Sequence, residues 1–346
     1  MPGLRYADAG VHLDTSDDTK RRIKTIVRST FGPEVLSDIG LFGGLFAPDW
    51  RRYREPVLVA STDSVGTKLK VAFAMHQHDT VGIDIVAHCA NDILVQGARP
   101  LFFLDYLGMG RHDPAVAESV IRGVAEGCRR IGCALLGGEM AELPDLYQAG
   151  EYDLAGTIVG IVDRDRILDG TRIAAGDRVI GLAADGLHTN GYSLARKVLF
   201  GVAGYTVDTM MPGCGRTVGS ELLQPHRCYV PALLPLLQGR RLKGLAHITG
   251  GGLLDNIPRI LPDGCAVRLQ ANAWPILPVF EALQRLGEID DQEMYRTFNM
   301  GIGMAVIVDA DEAGDIVETL RQHGESPYLI GEVYPGERTV TIEERG

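Results

Sequence analysis

The chain has 346 residues, 45% of them hydrophobic, which suffices for one large or two medium cores, and its length favours two domains. Its 34 Lys and Arg stand against 45 Asp and Glu, and the net charge of -11 opposes nonspecific attraction to nucleic acid or to anionic membranes. Six cysteines without a CxxC pair read as reduced thiols; no apolar run of about eighteen residues and no secretory leader pattern occurs, so the expected compartment is the cytoplasm.

In chain order, short apolar runs bounded by Gly, Pro or Asp at 57–61, 101–107, 133–136 and 154–162 predict strands, with helices between them at about 80–96 and 114–131. The stretch 163–177 (DRDRILDGTRIAAGD) is polar and turn-rich and leads into a strand at 178–184. It divides an expected N-terminal domain, 1–168, from a C-terminal domain, 169–346. The second half alternates again: a helix at about 190–200, a strand at 244–248, helix 252–260, strand 265–269, helix 276–286, strand 302–308, helix 311–322, and strands near 327–334 and 338–343. Mixed α/β structure is predicted throughout.

The chain lacks a GK dipeptide, an HExxH pair and a GxSxG elbow, so a phosphate loop of the Walker type, that zinc site and that nucleophile are not expected. The helix at 80–96 places Asp84, His88, Asn91 and Asp92 at i, i+4, i+7 and i+8, on one face. Short oxygen ligands without an intervening cation suit Mg²⁺ shared with phosphate oxygens, whereas a merely solvated face usually carries Lys, Arg and Glu; a solvated helix face with a capped end is the plainer alternative. Upstream, 61–68 (STDSVGTK) leaves a strand as a turn of small residues. Thr62, Gly66, Thr67 and Lys68 can offer hydroxyls, backbone N–H groups and an ammonium to phosphate while Asp63 holds metal; an ordinary surface loop is the plainer reading. Gly137 and Gly138 permit close backbone approach before Glu139, a candidate metal ligand, and Glu142 reads as solvated.

Two further segments, 186–193 (GLHTNGYS) and 249–252 (TGGG), precede helices and resemble anion sites, with His188, Thr189 and Asn190 in the first and Thr249, Gly250 and Gly251 in the second. His188 can donate to a phosphate or carbonyl oxygen or act as a base, and equally can be a structural histidine. The glycine-rich stretch 37–46 fits either a mobile lid or a core loop.

Together these segments form a series: YxDAGV at 6–11, TDxVGTK at 62–68, Asp92 followed by Gly97-Ala98-x-Pro100, GGExAExP at 137–144, HTNGYSL at 188–194, HITGGG at 247–252 and MYRTFNMGIGM at 294–304. In this order and over nearly the whole chain they resemble the phosphoribosylformylglycinamidine cyclo-ligase (aminoimidazole ribonucleotide synthetase) family. The resemblance implies a two-domain ATP-using synthetase fold whose N-terminal sheets pair into a barrel across a homodimer, with ATP near that interface. It implies ATP-dependent closure of formylglycinamidine ribonucleotide to aminoimidazole ribonucleotide, with Mg²⁺. It places nucleotide and metal on the segments of Asp63, Asp84, Asn91, Asp92 and Glu139, and Lys24 near ATP; Lys24, Asp92 and His188 are the implied catalytic residues.

The chain departs from the family pattern at Ser64, where Gly is expected and a side chain is tolerated only at negative φ, and at Met140, where Thr is expected. Sister enzymes are the competing readings: selenophosphate synthetase, which needs an N-terminal Cys whereas the first here is Cys89; thiamine-monophosphate kinase; and the synthetase that forms the amidine. An inactive nucleotide-binding partner protein is the reading from another class.

Overall fold

The computed structural model describes residues 3–343. The chain forms two compact units, one of residues up to Ile93 with Pro100–Asp163, the other of Leu94–Arg99 with everything from Arg164 onward. The first contains α1 (Leu13–Arg28), β1 (Pro56–Ser64), α2 (Leu69–Met75), α3 (Asp79–Leu94), β2 (Arg99–Met109), α4 (Pro114–Arg130), β3 (Ala134–Glu142) and β4 (Tyr152–Asp163). Its described strands form one sheet in the order β1-β4-β2-β3, with β1 antiparallel to β4 and β2 parallel to β3.

Alternation along the strands gives this sheet two unlike faces. Leu154 and Ile158 of β4 and Phe103 and Leu107 of β2 are buried on the helix-covered face. On the other face Leu58 and Leu104 are exposed, as are Ala60, Thr62 and Ser64. Two glycines set the helix layer: a Cβ on Gly82 of α3 would lie 2.3 Å from the Val120 carbonyl oxygen, and one on Gly123 of α4 would lie 1.9 Å from that of Asp79. Helices α3 and α4 therefore cross at backbone contact, which only glycine permits. Asp113 caps α4 by accepting from the N–H groups of Ala115 and Val116.

The second unit contains β5 (Arg178–Ala183), α5 (Tyr192–Arg196), α6 (Val218–Leu222), α7 (Val230–Gln238), β6 (Leu242–His247), α8 (Gly252–Asn256), β7 (Cys265–Gln270), α9 (Pro278–Gly287), α10 (Asp291–Thr297), β8 (Ile302–Val308), α11 (Ala313–Gln322), β9 (Pro327–Pro335) and β10 (Val340–Glu343). The described strands form a second sheet, β10-β7-β9-β5-β8-β6, antiparallel except for β10 beside β7. Every residue of β8 is buried, which explains its unbroken apolar run IGMAVIV: a central strand covered on both faces has no polar side to alternate with. Val179, Ile248, Leu253, Val267, Trp274 and Ile302 contribute to the core, and the Trp274 indole N–H donates to the Met300 carbonyl at 2.9 Å.

The chain is mixed α/β in two sheet-bearing units, as the sequence predicts, and among the described residues each sheet is open rather than a closed barrel. The sequence reading omitted α1 and α7, and also the short helices α2, α6 and α10. Half of helix α1 is charged, and among its described side chains the buried stripe is Thr19, Ile23 and Val27. Helix α7 carries Pro231 in its first turn and Pro235 inside it, both of which argue against a helix on paper. The helix expected at 190–200 is a short α5 continued by a wider π-helical turn over Lys197–Val202.

Candidate active site

In the first unit the acidic face of α3 turns toward β1 rather than to water. Asp84 and Asn91 are fully buried, His88 nearly so, and Asp92 half-buried. Odd-numbered residues of β1 face the same side, so the Ser61 hydroxyl donates to Asp92 Oδ2 at 3.1 Å and His88 Nε2 lies 3.1 Å from Asp63 Oδ2. Burial pushes the Asp63 carboxyl up, but the His88 hydrogen bond and charge outweigh it, so its pKa is lowered overall; the neighbouring Asp92 opposes that shift. Two carboxylates within each other's field, with a hydroxyl beside them, form a hard oxygen donor set that fits Mg²⁺.

Lys68 closes a single 3₁₀ turn, Gly66–Lys68, that follows β1, and both it and Asp84 are fully buried with Nζ 2.8 Å from Asp84 Oδ2. Burial pushes the ammonium down and Asp84 draws it back up, leaving it lowered. This ion pair ties the turn to α3. Gly66, at φ +68, and Thr67 are exposed at the turn; Thr62 points to the open face, its Oγ1 2.8 Å from that of Thr157. Ser64 ends β1 opposite Ala155 in extended backbone, so its Cβ is accommodated without strain.

Other expected members of this group lie elsewhere. Glu139 is exposed on β3, at the opposite edge of the sheet, with Gly137 and Gly138 beside it. Three interstrand spacings of about 4.8 Å put β3 roughly 14 Å from β1, so one chain does not bring Glu139 to Asp63 and Asp92. Lys24 on α1 is half-exposed and pairs with Asp38 at 2.9 Å, which Arg28 also binds. Both cations hold the Asp38 carboxyl well below the usual range, Arg28 most strongly. Met140 lines a cavity of about 280 Å³ with Tyr6, His12 and His112. Glu142, expected to be solvated, is instead buried there: it accepts from the His12 N–H at 2.6 Å, at the start of α1, and from the His112 N–H at 2.9 Å. Burial raises the Glu142 pKa, but the two N–H groups and the His12 ring lower it further.

The second unit gathers three of the sequence motifs at one end of its sheet. The loop after β5 carries His188, Thr189 and Asn190; the loop after β6 carries Thr249, Gly250 and Gly251; and residues 299–301 enter β8. Asn256 fastens the second loop by donating to the carbonyls of Thr249, Gly250 and Gly252. Asn299 fastens the first by donating to the Gly186 carbonyl at 2.9 Å. His188 sits at φ +60, an uncommon and strained conformation for a non-glycine residue, with its ring 1% exposed.

His226 and His247, which were not among the expected site residues, complete a three-imidazole cluster. The His226 ring stacks on His188 with centroids 4.1 Å apart, its Nδ1 lies 3.3 Å from Thr189 Oγ1, and its Nε2 lies 3.0 Å from His247 Nε2. His247 opens the HITGGG motif and was there to be found; His226, in LLQPHRCYV, carries no sequence signal.

Family models describe both halves of the chain: AIR synthase related protein, N-terminal domain, over residues 51–162, and AIR synthase related protein, C-terminal domain, over 174–343. A phosphoribosylformylglycinamidine cyclo-ligase of Trichlorobacter lovleyi is 52% identical, covering 96% of this chain and 95% of that protein. One of Syntrophotalea carbinolica is 52% identical over 98% of each chain. Among solved structures, thiamine-monophosphate kinase from Stenotrophomonas maltophilia is similar with a TM-score of 0.67 at 19% identity, covering 94% of this chain and 95% of that one. The hydrogenase maturation protein HypE in complex with ATP is similar with a TM-score of 0.62 at 19% identity, covering 99% and 92%. At such identities these structures share the fold.

Proposed function

The chain belongs to the phosphoribosylformylglycinamidine cyclo-ligase family of AIR synthase related proteins, and we propose that its two motif clusters divide the labour of that reaction. The activity is ATP-dependent ring closure of formylglycinamidine ribonucleotide to aminoimidazole ribonucleotide, with release of ADP and phosphate. In the proposed arrangement the first unit takes ATP and Mg²⁺ on Asp63, Asn91 and Asp92 and on the turn of Thr62, Gly66 and Thr67, which the buried pair of Lys68 and Asp84 holds in place rather than touching the ligand. The second holds the ribonucleotide on His188, Thr189, Asn190, Thr249, Gly250 and Gly251. The observation that supports this reading is the placement of the half-buried Asp63 and Asp92 together on the helix-covered side of β1, where a solvated helix face has no reason to be.

A formamide oxygen leaves poorly until a phosphoryl group has been transferred to it; the amidine nitrogen then attacks the activated carbon and phosphate departs. No protein nucleophile is needed, and positioning with charge stabilisation supplies the rate. Mg²⁺, held by Asp63 and Asp92, would offset charge on the transferring phosphoryl. Lys68 and Asp84 then act by fixing the turn whose N–H groups meet phosphate, and His88 by fixing Asp63.

Glu139, Gly137, Gly138 and Lys24 join the nucleotide site in this proposal through a homodimer in which the open sheet faces meet. What supports pairing is that the uncovered face carries Leu58 and Leu104, an apolarity that a permanently solvated face does not need. Residues 1–168 are proposed as the ATP-binding and dimerisation domain and 169–346 as the ribonucleotide domain. Cytoplasmic residence is supported by the neighbouring buried thiols of Cys128 and Cys133, which are unbridged; no described helix is long and apolar enough to cross a membrane. The test is incubation with formylglycinamidine ribonucleotide, ATP and Mg²⁺, following ADP and aminoimidazole ribonucleotide together. Equal formation of both is expected, and ADP without the imidazole product would return the sister-enzyme reading.

A further inference from the structure

The strained loop of His188 is braced by a neighbouring segment. Between α6 and α7 the chain passes through residues 225–229 (PHRCY) in neither helix nor strand, and three of its side chains reach the loop after β5. The Tyr229 hydroxyl donates to the Ala183 carbonyl at 2.9 Å, Arg227 Nη1 donates to Asp185 Oδ1 at 2.8 Å, and the His226 ring stacks on His188 with centroids 4.1 Å apart. Positions 229, 227 and 226 thus meet 183, 185 and 188 in turn, so the two stretches run antiparallel and are joined through side chains. A residue other than glycine at φ +60 persists only where its surroundings over-determine it, and these contacts contribute to that.

Arg227 stands at the centre of the brace. Besides Asp185, it donates from Nε to Glu325 Oε2 at 2.9 Å and from Nη2 to the Gly324 carbonyl at 3.0 Å. Gly324 and Glu325 lie just before β9, and the next residue, Ser326, accepts from the Ala183 N–H at 3.1 Å, so this turn and the end of β5 are tied by backbone as well as by the guanidinium. Nε, Nη1 and Nη2 each meet an acceptor, a fork that a lysine ammonium, being a point charge, does not reproduce. Of the two acids, Glu325 is the buried one, its side chain 7% exposed, and Asp185 is the open one at 46%. Their roles therefore differ: Glu325 fixes the cation within the fold, and through Asp185 the fixed cation holds the start of the loop.

We propose that Arg227 is a positioning residue of the ribonucleotide site, which through Asp185 keeps the loop 186–190 in the shape that receives the ligand. The inference rests on the assignment of that loop to the ribonucleotide. Its signature is a matter of sign. Asp185 is an anion beside a loop assigned to a phosphorylated ligand, so removing its charge alone tightens binding of that ligand. Removing its hold on the loop weakens binding, because a loop correctly set only about a tenth of the time raises the apparent dissociation constant about tenfold.

The experiment uses the full-length enzyme and measures KM for formylglycinamidine ribonucleotide and for ATP separately. Asp185→Ala leaves the buried Arg227–Glu325 pair in place. It should raise KM for the ribonucleotide roughly tenfold while KM for ATP stays within about twofold and the thermal unfolding midpoint stays near the native value. Asp185→Asn also loses the charge but keeps an oxygen for Arg227 Nη1, so its ribonucleotide KM should be native or lower. Arg227→Lys keeps a cation beside Glu325 and should resemble Asp185→Ala, and combining the two should add little, as expected of two changes to one contact. An Asp185→Ala enzyme whose ribonucleotide KM is unchanged or lowered, or an Asp185→Asn enzyme as impaired as Asp185→Ala, overturns the proposal. His188→Ala tells that failure from failure of the loop assignment. If it raises ribonucleotide KM while Asp185→Ala does not, the brace is wrong and the site stands; if neither raises it, the assignment of the loop itself fails.

Discussion

Asp105 offers the sharpest test of the first unit's electrostatics, because its carboxyl is buried in the helix-covered face of β2 and its pKa is pushed up to about 7 by burial, against a smaller opposing contribution from its own N–H. Gly138 on β3 makes the space: a Cβ there would stand 2.3 Å from Asp105 Oδ1. An unfolded aspartate gives up its proton near pH 4, whereas the folded one keeps it until about pH 7, so between those values unfolding releases a proton and stability falls as pH rises. With about 1.4 kcal/mol per unit, the loss from this group between pH 5 and pH 8 comes to about 2.5 kcal/mol. Asp105→Asn removes the titration while keeping the shape. Urea unfolding at pH 5 and pH 8 should therefore show the variant gaining on the native chain by about that amount at the higher pH. A gap between the two proteins that stays constant with pH within about 0.5 kcal/mol would refute the reasoning, since no other group differs between them.

Asp92→Asn should cut turnover at least about a hundredfold, as expected when a ligand to the charge-offsetting cation is lost, while the thermal unfolding midpoint and circular dichroism stay native; near-normal turnover sinks the role. Lys68→Met should destabilise the chain by about 3 kcal/mol in urea, because it removes the cation beside the Asp84 charge at zero exposure, and adding Asp84→Leu should restore much of the loss. If the double variant is no better than the single, the ion pair is not what holds the turn. Gly303→Ala should cost about 2 kcal/mol and lower turnover, since its methyl falls on Tyr229 and His188; unchanged stability would mean the cluster yields more easily than its contacts imply.

What was legible in the sequence followed from period and from motif order. The all-buried β8 and the strands around it announced themselves as apolar runs, and spacing alone put Asp84, His88, Asn91 and Asp92 on one face of α3. Spacing could not say which way that face looks: it is the odd residues of β1, Ser61 and Asp63, that turn it inward, and register between distant segments is a tertiary fact. The same limit hid the true surroundings of Lys68, whose short turn looks open on paper and is sealed against α3 in the fold. It also hid Glu142, three residues past a candidate ligand, which caps the start of α1 across 130 positions of sequence.

In the proposed arrangement the two units would bind charged ligands by different chemistry, and the difference follows from their secondary structure. The first places its acids where an edge strand meets a long helix, so that carboxylates are brought together at a cost in desolvation that a cation can repay. The second uses neutral donors: loops at the ends of β5 and β6, braced by Asn256 and Asn299, aim amide, hydroxyl and imidazole groups without gathering like charges. A chain with net charge -11 cannot attract a phosphorylated ligand by its overall field. Phosphate recognition in such a chain therefore falls to directed hydrogens at short range.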